Sequence, residues 1–234
     1  MARAKKPKSR LRRGLRACSF MLLGIVAFSL LLVLPLRWLN PVTTAFMMQD
    51  ETRRPVPHEW VEWQDIGNAA KLAVVASEDQ RFADHFGVDV GAIQKAVKEQ
   101  HERGYLRGAS TISQQTTKNL FLWRGRSFGR KGLEAWLTVF AEACLPKRRI
   151  LEIYLNIDEF GPGIYGVGAA SRYYFGTSPG RLSDAQAALL AAVLPNPSQL
   201  RVNDPSDYVL ERQRWILTQI RRLQREAWIT RISG

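Results

Sequence analysis

The chain has 234 residues, which is enough for one domain of ordinary size plus an anchor. Its formal net charge is +13, but eight basic residues and no acidic one lie within residues 1–16, so the rest is only mildly basic and no nucleic-acid partner is expected. Two cysteines and three histidines without metal-ligand spacing exclude a disulfide framework and a Cys/His metal site.

Residues 17–36 form an apolar segment without a charged side chain. As a helix, such a segment spans roughly 30 Å of hydrocarbon. We therefore predict a transmembrane helix there, with the basic tail 1–16 in the cytoplasm and the rest of the chain outside it. A cleaved signal peptide is the alternative, but its apolar region is normally about 7 to 15 residues long.

Prolines interrupt residues 37–66, which we interpret as a membrane-proximal connector, followed by a domain over residues 67–234. Asp89 is a predicted N-cap, and residues 183–186 match a capping box. No hairpin signal appears, so an all-α domain is predicted. Hydrophobic periodicity predicts helices over residues 88–103, 110–123, 130–145, 148–157, 166–174, 183–194 and 207–229.

Glu78 and Asp79 follow the apolar run 72–76, where a carboxylate is costly unless it is paired, hydrogen-bonded or used in proton transfer. Glu78 is therefore a candidate general base. On a helix, Phe82 and His85 would share its face. The alternative is an acidic first turn of a helix with His85 satisfied in packing.

Residues 108–119 predict a helix that is polar on all sides. Thr111, Gln114, Gln115 and Lys118 would lie on one face. Such a helix gains little from burial, so its donors are candidates for binding a polar ligand; a solvent-bridging helix is the alternative. Residues 120–123 place apolar side chains beside cations, a composition that fits either a membrane face or the core.

Arg130 and Lys131 open the next predicted helix with the charge that a helix start disfavours. An anion bound there would remove this cost, so we predict a phosphate site beside Glu134. Glu134 could instead pair with Arg130 four residues earlier. Lys147 and Arg148 could add to the anion site, although cations near a preceding helix end are favourable in any case.

Four ordered motifs resemble those of the peptidoglycan glycosyltransferases, glycosyltransferase family 51. They are Glu78-Asp79-x-x-Phe82-x-x-His85-x-Gly87, the run Gly108 to Gln115, Arg130-Lys131-x-x-Glu134, and Lys147-x-x-Ile150 to Asn156. Ser113 departs from the usual threonine but keeps a hydroxyl. The resemblance implies a lysozyme-like α fold behind one transmembrane helix, in the bacterial inner membrane with the catalytic domain in the periplasm.

The resemblance also implies a hexosyltransferase that polymerises lipid-linked disaccharide-peptide (lipid II) into glycan strands, with inversion and release of undecaprenyl diphosphate. Glu78 would be the general base and Glu134 the second catalytic carboxylate. No prosthetic group is expected, although a divalent cation (Mg²⁺ or Mn²⁺) could assist the diphosphate. The residues implied in substrate binding are Asp79, Ser110, Thr111, Gln114, Gln115, Lys118, Asn119, Arg130, Lys131 and Lys147.

The expected partners are lipid II, the growing glycan strand, membrane lipid, and proteins of cell-wall synthesis or division. No peptide cross-linking is expected, because the sequence lacks a serine followed three residues later by lysine. A wall-cleaving hydrolase would also need two carboxylates, but its sugar leaving group needs no cluster of cations. A non-catalytic membrane adaptor would leave the acids and the polar helix unexplained.

Overall fold

A computed structural model describes residues 8–52, 58–94, 110–125, 127–225 and 227–233. Within these ranges the chain is mainly helical, and a single two-stranded sheet joins β1 (Glu159–Gly161) to β2 (Ile164–Tyr165). The α-helices are α1 (Lys8–Val33), α2 (Ala45–Met48), α3 (Asn68–Glu78), α4 (Ile112–Phe121), α5 (Phe128–Cys144), α6 (Lys147–Ile157), α7 (Val167–Phe175), α8 (Asp184–Val193), α9 (Asp207–Arg225) and α10 (Trp228–Ser233).

Helix α1 contains the predicted membrane anchor. Together with the 3₁₀ turn that follows it, α1 gives a helical stretch over Arg12–Arg37 that is long and apolar enough to cross a membrane. Its second half touches the rest of the molecule, since Trp136 Nε1 on α5 donates to Ser29 Oγ at 2.9 Å. The anchor therefore continues directly into the helical domain.

The core is built around α3 and α6. Helix α3 packs between α8 and α9, whose small and branched residues allow a close approach. Helix α6 packs against α4, and its apolar residues from Ile150 to Ile157 are fully buried. This packing brings the end of α3, at Glu78, close to Gln115 on α4.

The described part of the connector 37–66 packs onto this core rather than extending away from it. Val61 and Trp63 are buried, and their backbone N–H groups donate to Asn156 Oδ1 at 2.7 Å and to Glu152 Oε1 at 2.8 Å. These contacts satisfy the Asn156 Oδ1 and Glu152 Oε1 atoms of α6. The domain boundary at residue 67 stays a prediction, although residues before it, such as Val61 and Trp63, already contact α6.

The short hairpin β1–β2 was not predicted. Its strands are too short to show an alternating pattern, and Pro162-Gly163 forms the turn, with Gly163 at φ 70°. The Pro-Gly pair was the available signal. Gly166 ends the hairpin at φ 81°, and a Cβ there would lie 2.5 Å from the carbonyl oxygen of Asn156. The hairpin therefore folds tightly onto the end of α6.

Several helix ends differ from the sequence prediction. Helix α5 begins at Phe128, two residues early, because Ser127 caps it by accepting from Arg130 N. The predicted helix 207–229 is interrupted after Arg225, and Ala227 takes a left-handed φ of 48°. Asp89 accepts from Ala92 N at 2.9 Å, as an N-cap does, and residues 90–94 are helical. The remainder of the predicted helix 88–103 lies outside the described residues.

Candidate active site

Glu78 is the last residue of α3 and is held by groups from three elements. Ser77 Oγ donates to Oε1 and Gln115 Nε2 donates to Oε2, both at 2.9 Å. Arg212 on α9 lies 3.4 Å from Oε1. The carboxylate stands at the helix end that disfavours negative charge, and these donors compensate for that position. Its side chain keeps 11% exposure, enough for one edge to meet a substrate.

Arg212 was missed by the sequence analysis, although a signal was present. Helix α9 carries an apolar stripe of Val209, Ile216 and Ile220, all fully buried. Arg212 lies three residues after the first and four before the second, so it falls within this stripe. A cation at such a position needs an internal partner, and here its partners are Ser77 and Glu78.

Asp79 turns away from Glu78. It ends α3 with an extended backbone, so the prediction that Glu78, Phe82 and His85 share one helical face is wrong. Asp79 instead accepts from His85 Nε2 at 2.9 Å and from the N–H of Ile112 at 3.1 Å. The buried Asp79 therefore joins the loop after α3 to the start of α4. The alternative of an acidic first turn also fails, since Glu78 lies at a helix end.

Helix α4 is polar but largely buried, so the solvent-bridging alternative is wrong. Thr111 caps it, accepts from Gln114 N and donates to the carbonyl oxygen of Gly87 at 2.6 Å. The Gln114 side chain returns to Thr111 N to close a capping box. Both predicted ligand-binding side chains are thus used within the protein. Their bonds fix the start of α4 instead.

Gln115 and Asn119 link α4 to the end of α6. The Gln115 amide oxygen accepts from the Tyr154 hydroxyl at 3.4 Å while its nitrogen holds Glu78. Asn119 Nδ2 donates to Asp158 Oδ1 at 2.6 Å. Burial raises the pKa of Asp158 to about 6, against the opposing effects of Lys118 and the Tyr154 hydroxyl. Tyr154 and Asp158 were not predicted as site residues.

Lys118 is the cation left free at this site. In the described part of the chain its ammonium makes no ion pair within 4.0 Å and lies 5.2 Å from the centre of the Phe46 ring. Burial lowers the pKa of Lys118, while Asp158, Glu134 and Glu78 act in the opposite direction. Lys118 is therefore within the electrostatic reach of both predicted catalytic carboxylates.

Glu134 is buried between two cations of its own helix. Arg130 Nη1 contacts Oε2 at 3.0 Å, and Lys131 Nζ contacts Oε1 while also donating to Ser110 Oγ at 3.1 Å. The pairing with Arg130 that the sequence left open is thus present. Glu134 has a 2% exposed side chain, whereas that of Lys131 is 47% exposed. Lys131 therefore keeps a face open to an incoming anion.

Lys147 belongs to a different cluster. Its ammonium pairs with Glu142 at 2.7 Å and donates to the carbonyl oxygen of His85 at 2.6 Å, above the ring of Phe82. Ser113 donates to the same Glu142 carboxylate. These contacts bind α5, α4 and the loop after α3 together. None of the described contacts joins Lys147 to Glu78 or Glu134.

The structure thus divides the predicted site residues into three groups. One group surrounds the two carboxylates: Glu78, Glu134, Ser110, Gln115, Lys118, Arg130 and Lys131. A second group is buried and bonded within the scaffold: Asp79, Thr111, Gln114 and Asn119. Lys147 stands in the Glu142 cluster. Only the first group presents charge and hydrogen-bond donors around the candidate catalytic pair.

A resident metal does not fit these donors. Glu134 is bonded to two cations, and Glu78 to Ser77, Gln115 and Arg212. Among the described residues no group of three or more His, Cys, Asp or Glu side chains could hold a metal ion. The anionic oxygens that a divalent cation prefers are thus already taken by protein donors.

Residues 120–123 are mostly buried, whereas α5 exposes several apolar side chains. Leu120 and Leu122 are buried, and only Trp123 of that segment is exposed. On α5, Phe128, Leu133 and Val139 are exposed on the helix that contacts α1 through Trp136. These apolar side chains therefore lie on a helix that is in contact with α1.

Comparison with known proteins agrees with this arrangement. The family model described as Transglycosylase matches residues 46–221. The chain is 49% identical over 230 residues to a protein of Stutzerimonas stutzeri named biosynthetic peptidoglycan transglycosylase, covering 95% of each chain. Proteins of the same name from Chromohalobacter salexigens and Shewanella amazonensis are 48% and 50% identical, over 95% and 87% of this chain and 98% and 85% of their own.

The family model covers well over half of the chain, and the helical domain behind one apolar helix has the lysozyme-like fold of this family. The chain therefore belongs to the transglycosylase family and is a glycosyltransferase that acts on peptidoglycan.

Proposed function

We propose that the protein polymerises lipid II into glycan strands, releases undecaprenyl diphosphate and inverts the anomeric centre. The observation that carries the proposal is Lys118, a free ammonium within electrostatic reach of both Glu78 and Glu134. A hydrolase with a sugar leaving group has no need of this cation, whereas a departing diphosphate does.

Glu78 acts as the general base in this proposal. Its carboxylate takes the proton of the acceptor 4-hydroxyl as that oxygen attacks the donor anomeric carbon. Gln115 and Ser77 hold the two carboxylate oxygens and thereby fix its orientation. Because the acceptor oxygen attacks directly and no enzyme nucleophile intervenes, the configuration at the anomeric carbon is inverted.

The cations of α4 and α5 stabilise the leaving group. As the anomeric C–O bond breaks, its electron pair goes to the diphosphate, and preorganised cations lower the energy of that developing charge. Lys118 makes no ion pair with any residue that the structure describes, and Lys131 is half exposed beside Ser110. Glu134 holds Arg130 and Lys131 in place, so that both cations are already oriented when the donor arrives.

Mg²⁺ or Mn²⁺, if used, would arrive bound to the substrate diphosphate. This follows from the lack of fit for a resident ion among the described side chains. Whether polymerisation requires a divalent cation is measured by comparing its rate in EDTA with its rate after Mg²⁺ or Mn²⁺ is restored.

The membrane arrangement belongs to the same proposal. We place α1 across the bacterial inner membrane, with the basic tail in the cytoplasm and the catalytic domain in the periplasm. The exposed Phe128, Leu133 and Val139 on α5 would rest against membrane lipid, where a lipid-linked donor is available. Proteins of cell-wall synthesis or division remain expected partners.

The decisive experiment incubates the detergent-solubilised full chain with lipid II and, separately, with finished glycan. We expect polymer from the first and no digestion of the second. Release of fragments from the finished glycan would favour the hydrolase, and no reaction with either would favour the adaptor. Lys118→Ala serves as the matched variant, since it removes the free cation and leaves both carboxylates in place.

A further inference from the structure

Asp158 is an acid in an unusual position. It follows α6 directly, is buried, and accepts from Asn119 Nδ2 at 2.6 Å. In the described part of the chain no lysine or arginine pairs with it within 4.0 Å. A buried carboxylate without a direct ion pair is costly, so its position calls for a function.

The carboxylate lies beside the turn of α4 that carries Lys118. Asn119, the next residue of α4, makes the 2.6 Å bond that holds Asp158 against this helix. The charged groups that act on Lys118 are Asp158, Glu134, Arg130 and Glu78, and Asp158 has the largest effect of the three acids. The groups that act on Asp158 are Lys118, Glu78 and the Tyr154 hydroxyl.

Lys118 differs from the other cations of the site because it makes no direct contact with a carboxylate among the described residues. Arg130 and Lys131 each donate to Glu134, and Arg212 donates to Ser77 and Glu78. Lys118 receives negative potential from Asp158 without giving up a hydrogen bond to it. None of the described residues uses a proton of this ammonium in a hydrogen bond, so all three can be donated to an anionic ligand.

We propose that Asp158 is a positioning residue that keeps the half-buried Lys118 protonated and free to bind the diphosphate of the donor. The proposal rests on the proposed function, because it assigns the diphosphate to Lys118. Asp158 touches neither substrate nor reacting atoms. It acts through Lys118 and through the Asn119 bond that fixes its distance from α4.

The first test is the pH dependence of polymerisation by the full chain, with Asp158→Asn compared to the parent protein. Asparagine keeps the shape but removes the charge, so Lys118 should lose its proton at lower pH. We expect the alkaline decline in the rate of Asp158→Asn to begin at lower pH than in the parent, with a rate up to about tenfold below that of the parent in the alkaline range. Below about pH 6 the profiles should converge, since Asp158 itself becomes neutral there.

A purely structural role would give a different profile. Loss of the bond to Asn119 would lower the rate by the same factor at every pH, and that result would overturn the proposal. Glu159→Gln is the matched control, because this neighbouring acid pairs with Arg124 and is not among the groups with the largest effects on Lys118. Its pH profile should keep the parent shape.

Two further measurements guard against misfolding and against failure of the proposed function. In a Lys118→Arg background, where the guanidinium stays charged, Asp158→Asn should no longer steepen the alkaline decline. Binding of inorganic diphosphate, measured by calorimetry, should be about tenfold weaker in Asp158→Asn than in the parent at about pH 9 and equal below about pH 6. Equal affinity at both pH values overturns the proposal, whether or not polymer forms.

Discussion

At the residue scale, the main feature is how differently the two carboxylates of the site are held. Glu78 is bonded mostly to neutral donors and keeps an exposed edge, whereas Glu134 is buried between Arg130 and Lys131. A base must be able to accept a proton, and neutral donors leave it freer to do so than two cations do. This contrast assigns proton transfer to Glu78 and charge organisation to Glu134 in the proposed mechanism.

We expect Glu78→Gln to lower polymerisation by about 10² to 10⁴, because the amide keeps the shape but cannot take the proton. The rate of glycan synthesis from lipid II measures this effect, and the melting temperature should stay close to that of the parent. Glu211→Gln on α9 is a suitable control, since it neutralises an exposed acid next to Arg212. Near-parent turnover of Glu78→Gln would contradict the assignment.

Asp158 should make stability depend on pH. Burial raises its pKa from 3.8 to about 6, so its contribution to stability is complete below the lower value and is lost as pH rises through the higher one. Relative to Asp158→Asn, the parent should lose about 3 kcal/mol of unfolding free energy between about pH 4 and pH 7.5. Thermal melting of both proteins in detergent checks this, and parallel curves would refute it.

At the element scale, the start of α5 carries an accessible cation, Lys131, at a position where positive charge is unfavourable. Lys131 stands in the first turn, where the helix dipole disfavours it, and it pairs a half-exposed ammonium with the buried Glu134 carboxylate. If Lys131 is removed, Glu134 keeps Arg130 as its second partner, so no unpaired charge is left buried. The position therefore contributes little to folding and is suited to binding an anion.

Lys131→Ala should accordingly slow polymerisation by about 10²-fold, the usual effect of removing one group that stabilises developing charge. The melting temperature without substrate should barely change. Lys131→Arg, which keeps the charge, should retain more activity than Lys131→Ala. A large drop in melting temperature with normal activity per folded molecule would instead identify Lys131 as structural.

At the scale of the whole molecule, the anchor and the catalytic domain form a continuous surface. Arg149 on α6 donates to the carbonyl oxygens of Leu36 and Leu39, and Arg37 donates to that of Cys144. The end of α1 is thus bonded to the same helices that carry or support the site. This arrangement fixes the segment after α1 to the helices of the domain.

The proposed topology places residues after the anchor outside the cytoplasm. A reporter fused after Gly234 should be active only if it functions in the external compartment, because the basic residues 1–16 retain the N-terminus inside. A fusion to a cytoplasm-dependent reporter is the control. Activity of that control fusion would reverse the orientation and separate the enzyme from the wall.

The sequence by itself determined the family, the long apolar N-terminal helix, the mainly helical class and the residues around the two carboxylates. These features depend on local signals: an uncharged apolar segment, helical periodicity, and short motifs whose residues keep their order along the chain. Glu78, Gln115, Lys118, Arg130, Lys131 and Glu134 were all identified this way. Their roles in substrate binding and catalysis stay predictions.

Only the tertiary structure decided which polar side chains are free. Thr111, Gln114 and Lys147 carry the same chemical groups as the residues around the carboxylates, but long-range contacts use them within the scaffold. Arg212 and Asp158 reach the site from segments remote in sequence from Glu78. A side chain's availability depends on what packs against it, and the spacing of residues along one helix does not contain that information.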